Sequence, residues 1–517
     1  AELGQKAICF TEHGNIYNNI EKKMYANSKG LKYLHGVECY LTAQLEPKVR
    51  DNYHTILIAR NFEGVKEINK LIDLSTQEDH VYYKPRITFE EFFNISDNVI
   101  KISACLASPL SKYPNYISNQ NEDKITSLKG ELLEAQKKYN ELIVDKENEE
   151  KWIAGCYNAG GEDLIIPMWD INGTTPHEEY IKECYKLCEI DDIENKIKNA
   201  QSEIVNAKIT YDRLLQKYDY YEIQPHVKSL DQIKYNKMLY EASKKYGKPL
   251  IAGTDTHSID SYKAECRSIL QKAKKIEFSN EDEFDLTYKS YDELVEMFRQ
   301  QGALLMDVVL EAIENTNRMA DSVTDFELDT KFKYPKLYDD EDKVFVERIY
   351  RMYHEKLDKG IIQPNPKYEE NIQEELRVFR KIGMVGFMLF MSELVCWCWE
   401  NNIPVGFCRG SVGGSTIAYL TDIIDVNPIV WNTVFSRFAN EDRKEIGDID
   451  LDISPSQRHF VYEHIIEEFG ADKTAYVLAI GTISDKGTIV EIGRALNIPL
   501  AEVKEIKSQY SFYTDSI

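Results

Sequence analysis

Asp448, Asp450 and Asp452 stand at alternate positions of "GDIDLDIS", interleaved with Ile449, Leu451 and Ile453. Strict alternation predicts a β-strand with the carboxylates on one face and the aliphatic side chains on the other. Like charges in a row are costly unless a cation sits among them, and hard oxygen ligands select a divalent ion such as Mg²⁺. A calcium loop of the D-x-D-x-D-G type is excluded, because Ile453 occupies the glycine position and His459 that of the bidentate glutamate. The bland alternative is a solvated edge strand.

Upstream, "GFCRGSVGGSTIAYLTDIIDVNP" places Gly406, Arg409, Gly410, Ser411, Gly413, Gly414 and Ser415 ahead of a predicted helix. Glycines let a backbone approach a phosphate, and helix N-terminal amides, an arginine and serine hydroxyls are donors. Alone, this loop reads equally well as a tight turn, and it has neither the Walker lysine nor the dinucleotide G-x-G-x-x-G spacing. Ahead of a strand of aspartates it points to nucleotidyl transfer, in which two Mg²⁺ ions activate a primer 3′-hydroxyl and neutralise the leaving pyrophosphate. Arg437, Arg443 and Lys486 would add positive charge around a triphosphate or template, or equally lie in solvent.

A second constellation is dispersed: Glu12 and His13 in "FTEHGN", Glu38 in "HGVECY", His54 in "DNYHTIL", Cys105 in "KISACLAS", and Asp255 and His257 in "AGTDTHS". Most lie at or near predicted strand ends, where α/β folds build sites. Histidine, carboxylate and cysteine converging there make the inventory of a multi-metal hydrolytic centre. Each residue alone reads better as packing or a structural hydrogen bond, so the case rests on joint placement.

The elements that must position these groups follow from pattern. Up to about Ser111 short apolar strands ("KAICF", "LKYLHGVECYL", "YHTILIA", "NVIKIS") alternate with helices such as "FEGVKEINKLIDLS", an α/β texture. Ile125, Leu128, Leu132, Ala135, Tyr139 and Leu142 then recur at three- and four-residue spacing, as do Ile193, Ile197, Ala200, Ile204, Ala207, Tyr211, Leu214 and Tyr218. This predicts an antiparallel coiled-coil hairpin over 120–218 whose tip carries "NAGGEDLIIPMWDINGTTPHEEY", with two independent amphipathic helices as the alternative. The α/β texture resumes at "YYEIQPH", so the hairpin is an insertion; helices dominate beyond Tyr262.

With 517 residues the chain accommodates at least two domains. A net charge of −24 argues against a simple basic nucleic-acid module and against a membrane-surface protein, while leaving room for an enzyme with a locally basic groove. Ten cysteines without a C-x-x-C pair read as reduced thiols, hence a cytoplasmic expectation. No apolar run is long enough to span a bilayer, and no signal peptide is visible.

The segments "NNIPVGFCRGSVGGSTIAYLTDIIDVNP", "FSRFANEDRKEIGDIDLDIS" and "AIGTISDKGTIVEIGRAL" resemble the α subunit of bacterial DNA polymerase III, the C-family replicative polymerases. "FTEHGNIYNNIE", "DNYHTILIARNFEGVKEINKL", "YYKPRITFEEF", "SACLASPL" and "LIAGTDTHSIDSYKAE" are similar to that family's PHP (polymerase and histidinol phosphatase) domain. The resemblance implies an α/β chain. A barrel-like PHP domain over 1–265 would carry the hairpin. An α+β palm of the polymerase-β nucleotidyltransferase type would cover 266–480, and the start of a helical thumb 481–517. It implies that Asp448 and Asp450 ligate Mg²⁺ with Asp452 beside them, and that Arg409, Gly410, Ser411, Gly414, Ser415 and Lys486 face the incoming nucleotide. Glu12, His13, Glu38, His54, Cys105, Asp255 and His257 would ligate Zn²⁺ or Mn²⁺ in a PHP centre with 3′–5′ exonuclease or phosphoesterase activity. Implied partners are primer-template DNA, dNTPs, a sliding clamp and other replisome proteins, and a partner for the hairpin. A PHP nuclease with an inert palm, or a non-catalytic replisome scaffold, are the alternatives.

Several positions depart from the family pattern. Glu12 replaces an aspartate, "GFCRGS" replaces a proline-containing form, Val490 stands where arginine is usual, and no proline precedes Asp448. The family's opening H-x-H strand and its third catalytic aspartate are not in this sequence. The expectation is therefore an N-terminal portion, of bacterial or phage origin.

Overall fold

The computed structural model describes residues 4–46, 48–158, 176–276, 284–329, 336–442, 447–477 and 481–510. Arg443 and most of the hairpin tip lie outside the described residues. Packing divides the chain into two units, residues 1–327 with 483–517, and residues 328–482.

The first unit is mixed α/β. Strands β1 (Ala7–Phe10), β2 (Lys32–Thr42), β3 (Tyr53–Ala59) and β4 (Val99–Ile102) form a sheet in that order, with Ile87–Thr88 also joined to β2. β1 runs parallel to β2, while β3 is antiparallel to both its neighbours, which sets Tyr40 opposite His54 and Ile56 opposite Ile102. β2 is buried along nearly its whole length, its polar His35 and Glu38 included. Gly36 lets it fit: a Cβ there would lie 3.0 Å from Cys9 Sγ and Thr11 Cγ2. β5 (Tyr221–Ile223) and β6 (Leu250–Ala252) form a parallel pair, tied to β4 by the bridge between Ile102 and Tyr220.

Helices cover this framework. α1 (Asn19–Ser28) follows β1, and α2 (Phe62–Ser75) begins at Asn61, whose side chain accepts from the Gly64 amide. Two long helices follow, α3 (Pro109–Val144) and α4 (Ile190–Lys217). They touch through Tyr211 Oη to the Leu110 carbonyl at 3.0 Å and Lys124 to Glu203 at 3.9 Å, so one ascends as the other descends. Ile193, Ala200, Ala207 and Leu214, spaced by seven, are buried along α4. α5 (Leu230–Tyr246) connects β5 to β6, and α6 (Met306–Ser322) packs on β6, where Asn315 Nδ2 donates to the Leu250 carbonyl at 2.9 Å. Leu34, Ile58, Ile100, Ile102, Ile251, Met319 and Val323 form the core between sheet and α6. The helices of 261–322 fall in the first unit, where Met319 and Val323 close on its sheet.

The second unit is built on α7 (Glu341–Asp358), α8 (Pro366–Ile382) and α9 (Val385–Glu400), with the short α10 (Thr416–Leu420) enclosed among them. Phe345, Ile372, Phe379, Met388, Leu389, Ile417 and Leu420 are at most 2% exposed and form its core. The strand expected at "GDIDLDIS" is not formed: among the described residues this segment pairs at the single bridge between Val405 and Ile453. Its partner turns away after Gly406 into the glycine loop, so no longer ladder forms. No single described helix is long and apolar enough to cross a membrane.

Candidate functional sites: a metal-ligand cluster and a glycine loop

In the first unit the β1–β2 ladder extends beyond Phe10. The Glu38 amide donates to the Glu12 carbonyl at 3.0 Å and the Gly14 amide to the Glu38 carbonyl at 2.8 Å, which brings His13 beside Glu38. Glu38 is 4% exposed. Its Oε1 lies 2.9 Å from His54 Nδ1, and its Oε2 lies 3.5 Å from His13 Nε2 without a hydrogen-bond partner. Cys105 Sγ is 3.6 Å from the same His54 nitrogen. His257 Nε2 lies 3.3 Å from His13 Nε2, and its Nδ1 is 2.7 Å from the Asp255 carbonyl.

Glu38, His54 and Cys105 each offer one ligand atom, and these atoms lie within 4.8 Å of one another. The set fits a metal: a buried carboxylate oxygen lacks a partner, and oxygen, nitrogen and sulfur donors together suit an ion of intermediate softness. Burial, reinforced by Asp255 and Glu38, holds the Cys105 thiol well above the ordinary range, and burial likewise raises Asp255. A cation would reverse both effects. Ala104 and Asp255, adjacent to Cys105 and close to His257, both adopt left-handed backbone, with φ of 61° and 50°. For an alanine this is strained, and such strain collects where geometry serves a site. Glu12 departs from the set: its carboxylate pairs with Lys22.

Sequence reasoning missed Glu222 on β5. Gln224 Nε2 donates to it at 2.8 Å, and burial beside Asp255 and Glu38 pushes its carboxyl up to about 7. A Cβ on Gly253 would overlap its Oε1 at 2.1 Å, so the glycine makes room for a carboxylate behind the ligand set. The signal was its place opposite Tyr221 and Ile223 in the strand alternation.

In the second unit the three aspartates are exposed and Ile449, Leu451 and Ile453 are half-buried, as alternation predicts. The aliphatic side chains pack on the cores beneath. The Gly406 amide donates to the Asp452 carbonyl at 2.9 Å, laying the glycine loop along the aspartate segment. A Cβ on Gly406 would lie 2.9 Å from Asp452 Cβ, so only glycine permits this approach. Gly410 has φ of 80° and faces Asp450, its ideal Cβ 3.5 Å from Oδ2. Arg409 reaches back across the gap: Nη1 donates to Asp452 Oδ1 at 2.8 Å, and Nε lies 3.8 Å from Asp450 Oδ2. Ser411 opens a 3₁₀ turn to Gly414, whose ideal Cβ would lie 2.5 Å from the Val434 carbonyl.

The helix N-terminus behind the loop is already satisfied. Ser415 is fully buried; its Oγ donates to Glu375 Oε2 at 2.7 Å and accepts from the Ala418 amide at 3.0 Å. The Thr416 and Ile417 amides donate to the two oxygens of Glu375 at 2.7 and 3.0 Å. The α10 amides and the Ser415 hydroxyl therefore grip an internal carboxylate, which leaves Arg409, Gly410 and Ser411 as the open part of the loop. Glu375 was legible in principle: it shares the face of Ile372, Leu376 and Phe379 on α8. Lys486 lies in the helix Asp485–Ala495 of the first unit, and Arg437 ends a 3₁₀ turn at Phe435–Arg437.

Two protein-family models match parts of the chain. The PHP domain family matches residues 1–144, and the bacterial DNA polymerase III alpha NTPase domain family matches residues 343–516. The chain is similar, along nearly its whole length, to DNA polymerase III alpha subunits. The DNA polymerase III subunit alpha of Aquifex aeolicus is 26% identical over 98% of this chain and 38% of its own length. That of Borreliella burgdorferi is 26% identical over 96% of this chain and 37% of its own length. The Haemophilus influenzae protein of the same name is 36% identical over 29% of this chain and 13% of its own. The chain therefore spans less than two fifths of the length of the relatives that match it end to end.

Proposed function

We propose that this chain contributes the PHP domain and the nucleotidyltransferase palm of a replicative DNA polymerase, which transfers nucleotidyl groups from dNTPs to a primer 3′-end on template DNA. One observation carries the reading: a glycine loop with an arginine is hydrogen-bonded along a segment of alternating aspartates, Gly406 N to Asp452 O at 2.9 Å. Asp448 and Asp450 are the Mg²⁺ ligands, and bound Mg²⁺ would polarise the triphosphate and acidify the 3′-hydroxyl. Arg409 holds Asp450 and Asp452 in register before substrate arrives, and a triphosphate competes for its guanidinium. Gly410 and Ser411 present backbone and hydroxyl donors to phosphate oxygens. Gly414 and Ser415 act from behind, fixing the loop through Val434 and Glu375. Lys486, on the helix Asp485–Ala495, meets template or phosphate charge.

Within this reading the first unit is a barrel-like PHP domain from which α3 and α4 project as a coiled-coil hairpin, a docking arm for a replisome protein. A sliding clamp engages parts of the polymerase beyond this chain. Glu38, His54 and Cys105, with His13, Asp255 and His257 around them, form a Zn²⁺ or Mn²⁺ centre that trims primer 3′-ends. Replacing Asp450 with Asn in the complete polymerase should abolish primer extension while leaving His54-dependent digestion intact. Extension at the wild-type rate would overturn the assignment.

A further inference from the structure

Glu12 sits where the metal-centre reading wants a ligand, yet its carboxylate pairs with the ammonium of Lys22. Lys22 arises from the first turn of α1, and its side chain is only 18% exposed. The ammonium lies 5.1 Å from the ring centroid of Phe10 and 5.7 Å from that of Tyr17. Two aromatic faces and a carboxylate thus enclose one cation, a cage that favours a singly charged ammonium. Lys22 lines a pocket together with Ile8, Tyr25, Ala26 and Leu31. Glu12 stands outside the group of atoms that approach within 4.8 Å, which is Glu38, His54 and Cys105.

We propose that Lys22 supplies the positive charge at Glu12 in place of a metal ion, so that the centre of this chain binds one ion fewer than its ligand inventory offers. A divalent ion at Glu12 would face that ammonium at short range, cation against cation. Lys22 therefore closes the Glu12 position, and the remaining ions gather at Glu38, His54 and Cys105. The inference rests on the metal-centre reading above.

The test is a count of bound zinc. The complete chain is equilibrated with excess Zn²⁺, freed of loosely held ions, and weighed by native mass spectrometry. Lys22→Ala and Lys22→Met should each hold one more zinc than wild type; the methionine variant keeps the packed stem if alanine unfolds the helix. Glu12→Gln should leave the wild-type count unchanged, and adding it to Lys22→Ala should remove the extra ion. Equal counts in wild type and both Lys22 variants, or loss of an ion from wild type on Glu12→Gln alone, would overturn the proposal. His54→Ala separates it from the reading beneath. If His54→Ala removes zinc while the Lys22 variants gain none, only the role of Lys22 fails. If His54→Ala removes no zinc, the metal centre itself fails and the proposal with it.

Discussion

Glu375→Gln tests how the glycine loop is held. The carboxylate accepts from three donors: Ser415 Oγ and the Ile417 amide on one oxygen, the Thr416 amide on the other. Two of these are first-turn amides of α10, which have no intrahelical acceptor. A glutamine fits the same space but has one oxygen and one NH₂. Its better orientation keeps the oxygen toward Ser415 and Ile417 and turns the NH₂ toward Thr416, donor against donor. One buried amide is then left without an acceptor, at a cost of about 1–3 kcal/mol. With a factor of ten for each ~1.4 kcal/mol, opening of the α10 N-terminus should become roughly 5- to 140-fold more frequent. Hydrogen exchange at pH 8, read by mass spectrometry on peptides spanning 411–421, measures this directly. Exchange should accelerate there, while peptides of β2 and β3 keep their protection. Unchanged exchange at Thr416 and Ile417 would show that Glu375 does not hold the helix, and the account of the loop would fall.

Glu375 also sets a pH dependence. Burial pushes its carboxyl up to about 7 from an ordinary 4.5. A raised acid favours the fold while protonated, so its contribution is full below pH 4.5 and lost as pH climbs to 7. Thermal unfolding followed from pH 4.5 to 7 should therefore slope less in Glu375→Gln than in wild type. Gly414→Ala should destabilise the second unit by about 1–3 kcal/mol in urea unfolding, because its Cβ would meet the Val434 carbonyl at 2.5 Å and backbone must move. Zinc binding at Glu38, His54 and Cys105 should release close to one proton per site at pH 7, since the Cys105 thiol is held protonated without metal. Calorimetry in two buffers of different ionisation enthalpy reads that proton, and Cys105→Ser should diminish it.

The α/β texture of the first unit was legible because its strands are short apolar runs and its helices carry clear caps; "FEGVKEINKLIDLS" is α2 residue for residue. The aspartate segment was legible in its facing but not in its pairing. Alternation follows from side-chain geometry within one chain, whereas ladder length depends on where the partner turns, and the partner turns at a loop whose path pattern alone does not fix. The helix N-terminus of the loop was read as open because a sequence shows the donors and not the acceptor, which arrives from α8, forty residues upstream. Glu12 was read as a ligand for the same reason: its type suits a metal, and Lys22 comes near it only once α1 packs beside β1.

Arg409 decides how the aspartate row can exist before any ion binds. Asp450 and Asp452 are about half exposed, at 49% and 56%, so water screens their repulsion, and one guanidinium suffices to hold them side by side. An ion pair so exposed contributes little and is readily exchanged. A buried lysine in the same place would lock the row shut. An exposed arginine instead keeps the carboxylates aligned and can be released, its planar donors matching a phosphate as well as a carboxylate. In the proposed reading the aspartates would hold Mg²⁺ and a triphosphate would compete for the arginine.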